Sequence, residues 1–130
     1  MESWKPMKQD DTTLNQDVAN LLEQVDPAKG SEELIEVLAR GENIRVERIV
    51  SLGHCSESGF WYDDPQAEWV TVLSGEARIR FLTESKVIHL RQGDHITIAP
   101  HEKHRVEWTL PNEQTVWLAI YFSPTSCTES

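Results

Sequence analysis

The sequence predicts an all-β domain, a sandwich or a barrel, preceded by short helical segments. From Ile44 onwards, short runs rich in Val, Ile, Thr and Trp alternate with turn residues such as Ser74-Gly75 and Gln92-Gly93. Strands at this close spacing are typical of antiparallel sandwiches and barrels. No alternation of strands with helical stretches follows, which disfavours a parallel sheet. The predicted strands lie at about residues 44–52, 68–74, 76–82, 86–91, 95–99, 104–109 and 115–122.

The sequence pattern of residues 1–43 differs from that of the rest of the chain and predicts two short helices. An apolar set with helical spacing indicates a weak amphipathic helix over about residues 14–24, with a partly frayed tail as the alternative. Ser31 then precedes Glu33 as a helix N-cap would, and Gly41 stands where a helix C-terminus is expected, so a second helix is predicted over about 32–39. The predicted organisation is an extension over residues 1–43, a β-barrel over 44–122 and a polar tail over 123–130.

Composition limits the partners of the chain. Its 130 residues include 22 acidic and 12 basic ones, for a net charge of −10. Nucleic acid and anionic membranes both favour clustered Lys and Arg, so neither is expected as a partner. No apolar run approaches the length of about 20 residues that a membrane-spanning helix needs, and the N-terminus lacks the pattern of a secretory signal. With only two cysteines, far apart in sequence, a reduced cytoplasmic protein is expected.

Two motifs carry the chemistry. Glu68 is followed by Gly75 after six residues, and Gly93 is followed by His104 after ten. In these spacings residues 44–122 resemble the cupin superfamily, whose first motif ends in a glutamate, six residues and a glycine, and whose second motif begins with a glycine and ends in a histidine. The resemblance implies a jelly-roll barrel in which these motif residues point inward.

The first motif departs from the family pattern. The paired histidines of cupins are absent, and their positions fall on Trp61 and Asp63, or on Tyr62 and Asp64, depending on the spacing before the glutamate. In the second motif His101 replaces the glycine.

By resemblance, the motif residues hold one divalent metal ion. Glu68 and His104 match family ligands, Asp63 is a substituted ligand, and His101 is an additional donor three residues from His104. Such a set suits Zn²⁺, Fe²⁺, Mn²⁺ or Ni²⁺ without choosing among them. Strand alternation places Glu68 and His104 on faces with apolar residues, where burial is costly unless partners are present. The alternative is that these two pair with each other in a metal-free pocket.

Arg48 is the remaining candidate. It alternates in step with Val46 and Val50, which predicts that it points into the barrel. An inward guanidinium could clamp a carboxylate or phosphate of a substrate. The alternative is an ion pair with one of the acidic residues of the barrel.

These residues indicate a cupin that binds a metal and a small polar ligand, anionic or hydroxylated, in the barrel. An isomerase, decarboxylase or oxygenase reaction fits equally, with His101 as a ligand or general base. The alternatives are a non-catalytic binding or sensor module and a metal-free, epimerase-like enzyme in which a histidine and an acid transfer protons. Both faces of the last strand, residues 115–122, are apolar, and cupins commonly pair, so a homodimer is expected.

Overall fold

The computed structural model describes residues 16–24 and 33–125, and their regular secondary structure is almost entirely β-strand. The seven strands predicted between residues 44 and 122 are all present, and each begins and ends within one residue of its predicted position. An eighth strand precedes them, and one 3-10 turn lies at Thr83–Ser85. The strands are β1 (Leu34–Gly41), β2 (Ile44–Ser51), β3 (Ala67–Ser74), β4 (Ala77–Phe81), β5 (Val87–Leu90), β6 (His95–Ile98), β7 (His104–Thr109) and β8 (Thr115–Phe122).

The strands form two antiparallel sheets with the core between them. One sheet has the order β1-β2-β8-β3-β6, and the other has the order β5-β4-β7. The core takes residues from the inner faces of both sheets: Val70, Val72, Ile98, Trp117 and Ala119 from the first, and Ala77, Ile79, Phe81, Leu90 and Val106 from the second. This arrangement confirms the predicted all-β barrel. No helix in the described parts of the chain is long and apolar enough to cross a membrane.

The helix predicted over residues 32–39 is wrong, because residues 34–41 form β1. β1 pairs with β2 along its whole length, from Leu34 opposite Val50 to Gly41 opposite Ile44. The two strands join through a tight turn in which Asn43 takes a φ of 66°, a conformation that asparagine tolerates better than most residues. Pairing with β2 satisfies the backbone of this segment and overrides its local helical pattern.

The helix predicted over residues 14–24 is also absent from the described part, residues 16–24, while residues 14 and 15 lie outside it. The chain makes a turn here instead. The Asn20 side-chain oxygen accepts a hydrogen bond from the Leu22 amide at 2.7 Å, and the Asn20 carbonyl accepts one from the Glu23 amide at 3.1 Å. A side chain that bonds the backbone in this way competes with helix formation.

Arg48 fastens this turn to the outer face of the five-stranded sheet. Its residue exposure is only 6%, and its Nη2 lies 2.6 Å from Glu36 Oε1. Its Nη1 donates to the carbonyls of Leu21 at 3.0 Å and Glu23 at 3.3 Å. The inward orientation expected for Arg48 is therefore not found. The guanidinium instead forms an ion pair with Glu36, which is the alternative given for this residue.

Replacing Arg48 by methionine should release the N-terminal turn. The carbonyls of Leu21 and Glu23 would lose their charged donor, at a cost of about 1–3 kcal/mol. We expect the amide of Glu23 to exchange hydrogen faster in Arg48→Met, as measured by hydrogen–deuterium exchange. Arg40→Met, at an exposed arginine of β1, is the matched control and should leave exchange unchanged. Equal protection in both variants would show that Arg48 does not hold the turn.

The outer face of β8 remains partly uncovered. Leu118, Ile120 and Phe122 lie on this face and are half-buried within the single chain. Coverage by a second subunit stays a prediction.

Candidate functional site

The two residues that match the cupin motifs meet inside the barrel. Glu68 projects from β3 of the five-stranded sheet, and His104 begins β7 of the three-stranded sheet. His104 Nε2 lies 3.4 Å from Glu68 Oε1, and the two side chains are 7% and 12% exposed. The chain thus joins an imidazole and a carboxylate from opposite sheets in a largely buried pair.

Backbone contacts fix the orientation of the imidazole. His104 Nδ1 lies 2.9 Å from the carbonyl oxygen of Glu102, which can only accept, so Nδ1 carries the hydrogen. Nε2 is left to face Glu68 Oε1, and when Nε2 also carries a hydrogen the ring is an imidazolium beside a carboxylate. Burial lowers the pKa of His104, but the hydrogen bonds to Glu68 and to the Glu102 carbonyl outweigh it, and the net pKa is raised. The ring of Tyr62 stacks on the imidazole with centroids 5.4 Å apart.

The pair faces a partly open cavity of about 80 Å³. One water needs roughly 10–15 Å³, so the cavity has room for a small ligand. Its polar lining comes from both sheets, and apolar side chains fill the remaining wall. The lining residues are Glu33, Ile35, Glu47, Ile49, Tyr62, Glu68, Val70, Ile79, Ile98, His104, Val106, Trp117 and Tyr121.

Glu33 is a site residue that the motifs do not identify. It directly precedes β1, and its Oε2 accepts a hydrogen bond from Ser51 at 3.0 Å. Ser51 in turn accepts from the indole nitrogen of Trp117 at 3.1 Å, and His54 Nε2 lies 3.9 Å from Glu33 Oε1. Burial raises the pKa of Glu33 more than its contacts with His54 and Ser51 lower it.

Glu47 is a second such residue, on the inner face of β2. Its Oε2 accepts from Arg45 Nε at 2.6 Å, and the Arg45 guanidinium lies over the ring of Tyr121, 4.2 Å from its centroid. Burial raises the pKa of Tyr121 well above its ordinary value, and the carboxylates of Glu68 and Glu47 raise it further. Burial, with the Glu33 carboxylate next, also raises the pKa of Tyr62, to about 12.

The other predicted site residues lie elsewhere. His101 and Asp63 form their own pair, with Nδ1 2.8 Å from Oδ1, and their side chains are 66% and 41% exposed. His101 takes a φ of 62° in the turn before β7, and neither residue lines the cavity. Arg48, on the outer face of β2, is also absent from the lining.

The four predicted metal ligands are therefore split between the cavity and the surface. In residues 16–24 and 33–125, no three His, Cys, Asp or Glu side chains lie close enough together to hold one metal ion. Protein zinc sites use three or four such ligands. The cavity provides only two adjacent ligands of this kind among the described residues, Glu68 and His104. Two ligands are too few for a resident divalent metal ion of that type.

Comparison with known proteins agrees with this architecture. The Cupin domain family model matches residues 52–121, more than half of the chain. A structure from Ralstonia eutropha JMP134, of a protein provisionally named a mannose-6-phosphate isomerase, is 38% identical with a TM-score of 0.78 and covers 83% of this chain and 99% of that one. A cupin superfamily protein of Desulfitobacterium hafniense DCB-2 is 17% identical, with a TM-score of 0.65 over 85% of this chain and 95% of that one, a likeness of fold. None of the curated proteins matches the chain.

The family match and the 38% identical structure agree with the motif spacing and with the two-sheet barrel. The chain belongs to the cupin superfamily.

Proposed function

We propose that this cupin binds a small hydroxylated carbonyl compound in its barrel and moves protons on it, as an isomerase or epimerase does. The observation that carries the proposal is the buried pair of Glu68 and His104, 3.4 Å apart at the wall of a cavity. Support also comes from the 38% identical Ralstonia protein, whose provisional name is that of a sugar-phosphate isomerase.

The pair offers a base and an acid at one place. The Glu68 carboxylate can accept a proton from the carbon next to a ligand carbonyl, while the His104 imidazolium donates a proton to the carbonyl oxygen. The C–H electrons form the double bond of an enediol. Return of the first proton to the neighbouring carbon, with the imidazole taking a proton from the other hydroxyl, gives the isomer and restores the pair. Positioned acid–base groups of this kind contribute about 10²–10⁴-fold to a rate.

A divalent metal is the second candidate, favoured by the family positions of Glu68 and His104. When bound in such a pocket, a metal supplies Lewis-acid polarisation of a ligand oxygen. Because the cavity gathers too few donors, no step above depends on it. A metal site built from all four predicted ligands would lose stoichiometric metal in Asp63→Asn as well as in His104→Gln, as measured by elemental analysis.

Ligand binding and proton exchange test the proposal together. A thermal-shift screen of sugars, sugar phosphates, keto acids and amino acids should find a ligand, and Glu68→Gln and His104→Gln should each weaken it by about tenfold or more, since hydrogen bonds to charged groups contribute roughly 1.5–3 kcal/mol. Asp63→Asn, in the exposed pair, is the control and should bind normally. In D₂O the wild type should also introduce deuterium at the carbon beside the carbonyl, as detected by NMR.

Two results would contradict the proposal. A ligand that binds without any deuterium incorporation would favour the non-catalytic binding module. Unchanged binding and exchange in both Glu68→Gln and His104→Gln would place the function outside the cavity.

A further inference from the structure

The cavity wall carries an unbalanced set of charges. Within the described parts of the chain, three carboxylates line it, from Glu33, Glu47 and Glu68, and no lysine or arginine does. The nearby cations do not balance them fully. Arg45 pairs with Glu47, and His104 pairs with Glu68. Among residues 16–24 and 33–125, Glu33 has the Ser51 hydroxyl within hydrogen-bond distance and the His54 imidazole at 3.9 Å, and no lysine or arginine pairs with it.

The same carboxylates act on the pKa values of the two cavity tyrosines. After burial, the contributions that raise the pKa of Tyr62 come from Glu33, Glu68 and Glu47. For Tyr121 the carboxylates of Glu68 and Glu47 likewise outweigh the opposing effect of Arg45. A second negative charge inside the cavity is therefore disfavoured.

Aromatic rings line the cavity together with the carboxylates. They belong to Tyr62, Trp117 and Tyr121, and rings of this kind attract cations through their π faces. One of them already does so, since the Arg45 guanidinium lies 4.2 Å from the centroid of Tyr121. Arg48, the residue expected to clamp an anion, points to the opposite face of β2 and bonds Glu36.

We propose that the ligand of this cavity carries a protonated amine, as in an amino sugar, and that Glu33 recognises that amine. This inference rests on the proposed function, because it names the ligand class of the same cavity. The hydroxylated part of the ligand contacts the pair of Glu68 and His104, and the ammonium group lies against Glu33. Anionic ligands, phosphates and carboxylates alike, are disfavoured, so the provisional name of the Ralstonia protein supports the isomerase reaction and not a phosphorylated ligand.

Three probes that share a 1,2-propanediol unit and carry a positive, neutral or negative group on the third carbon test the inference. They are 3-amino-1,2-propanediol, glycerol and glycerol 3-phosphate, titrated into the full-length protein at neutral pH and followed by the NMR shifts of cavity amides. We expect the amine to bind about tenfold more tightly than glycerol, as a charged hydrogen bond provides, and the phosphate to bind more weakly than glycerol. In Glu33→Gln the amine should lose this advantage while glycerol binds as in the wild type. Glu42→Gln, at an exposed turn, is the matched control.

The outcomes separate this inference from the proposed function. If glycerol or glycerol 3-phosphate binds as well as the amine, and binding still depends on His104, the proposed function stands and the amine inference falls. An amine advantage that survives in Glu33→Gln would overturn the role of Glu33. If no probe moves the cavity amides, the inference is overturned, while the deuterium-exchange experiment still decides the proposed function.

Discussion

Replacing Gly75 by alanine should destabilise the protein by about 2–6 kcal/mol, a large part of the roughly 5–15 kcal/mol that typically separates folded from unfolded domains. Gly75 lies in the turn between β3 and β4 with a φ of +93°, and a Cβ there would lie 2.5 Å from Thr115 Oγ1 and 2.7 Å from Thr115 Cα. Backbone strain at positive φ costs roughly 1–3 kcal/mol, and overpacking costs about 1–3 kcal/mol more.

Moving Thr115 away from the added Cβ would itself destabilise the fold. It is fully buried at the start of β8, and its hydroxyl donates to the Glu76 carbonyl at 3.2 Å. A shift of Thr115 would therefore disturb β8, the strand that pairs with both β2 and β3. The close approach of the backbones at Gly75 and Thr115 thus explains why this motif position requires a glycine.

Gly93→Ala is the matched control for this prediction. Gly93 has nearly the same conformation, with a φ of +90°, but a Cβ there would meet no atom within 4 Å. It should cost only the strain, roughly 1–3 kcal/mol. Urea denaturation of both variants measures the difference, and equal losses of unfolding free energy would refute a steric role for Gly75.

The sequence predicts the strands after residue 44 well because their signals are local. Alternating apolar residues and turn pairs such as Ser74-Gly75 specify each strand and its ends without reference to the rest of the chain. β1 is different. Its residues Leu34, Val37 and Leu38 fit a helical repeat as well as a strand, and only the long pairing with β2 decides between the two. That contact is not visible in a local pattern.

The same reasoning explains which site residues could be predicted. Glu68 and His104 follow from motif spacing, and the structure brings them together. Glu47 could not be assigned from alternation, because neither face of β2 is open to solvent. Glu47 and Ile49 face the cavity, and the turn that Arg48 holds covers the outer face. With polar and apolar residues on both faces, strand period alone does not choose the inner one. Glu33 was missed because it precedes a strand that was predicted as a helix.

The free energy of unfolding should fall as pH rises above about 6.5, because His104 then loses the proton that holds it to Glu68. The pKa of His104 is raised in the folded state, because the hydrogen bonds to Glu68 and to the Glu102 carbonyl outweigh burial. A group whose folded pKa is raised contributes its stability fully below the unfolded pKa and loses it as pH rises through the folded pKa. The pair therefore stabilises the fold most in mildly acidic solution.

Glu68→Gln removes the charge that keeps the imidazolium favourable, while the burial that disfavours it remains. At mildly acidic pH, where His104 must either stay charged without its carboxylate or give up its proton on folding, we expect a loss of about 1–3 kcal/mol, and little loss at alkaline pH, where the imidazole is neutral. Urea denaturation across this pH range measures both variants, and the other histidines cancel in the difference between them. Asp63→Asn, in the exposed pair with His101, should keep the wild-type slope because solvent screens that pair. If the slope of Glu68→Gln matched the wild type, the proton between His104 Nε2 and Glu68 Oε1 would not exist, and the acid–base chemistry built on it would lose its basis.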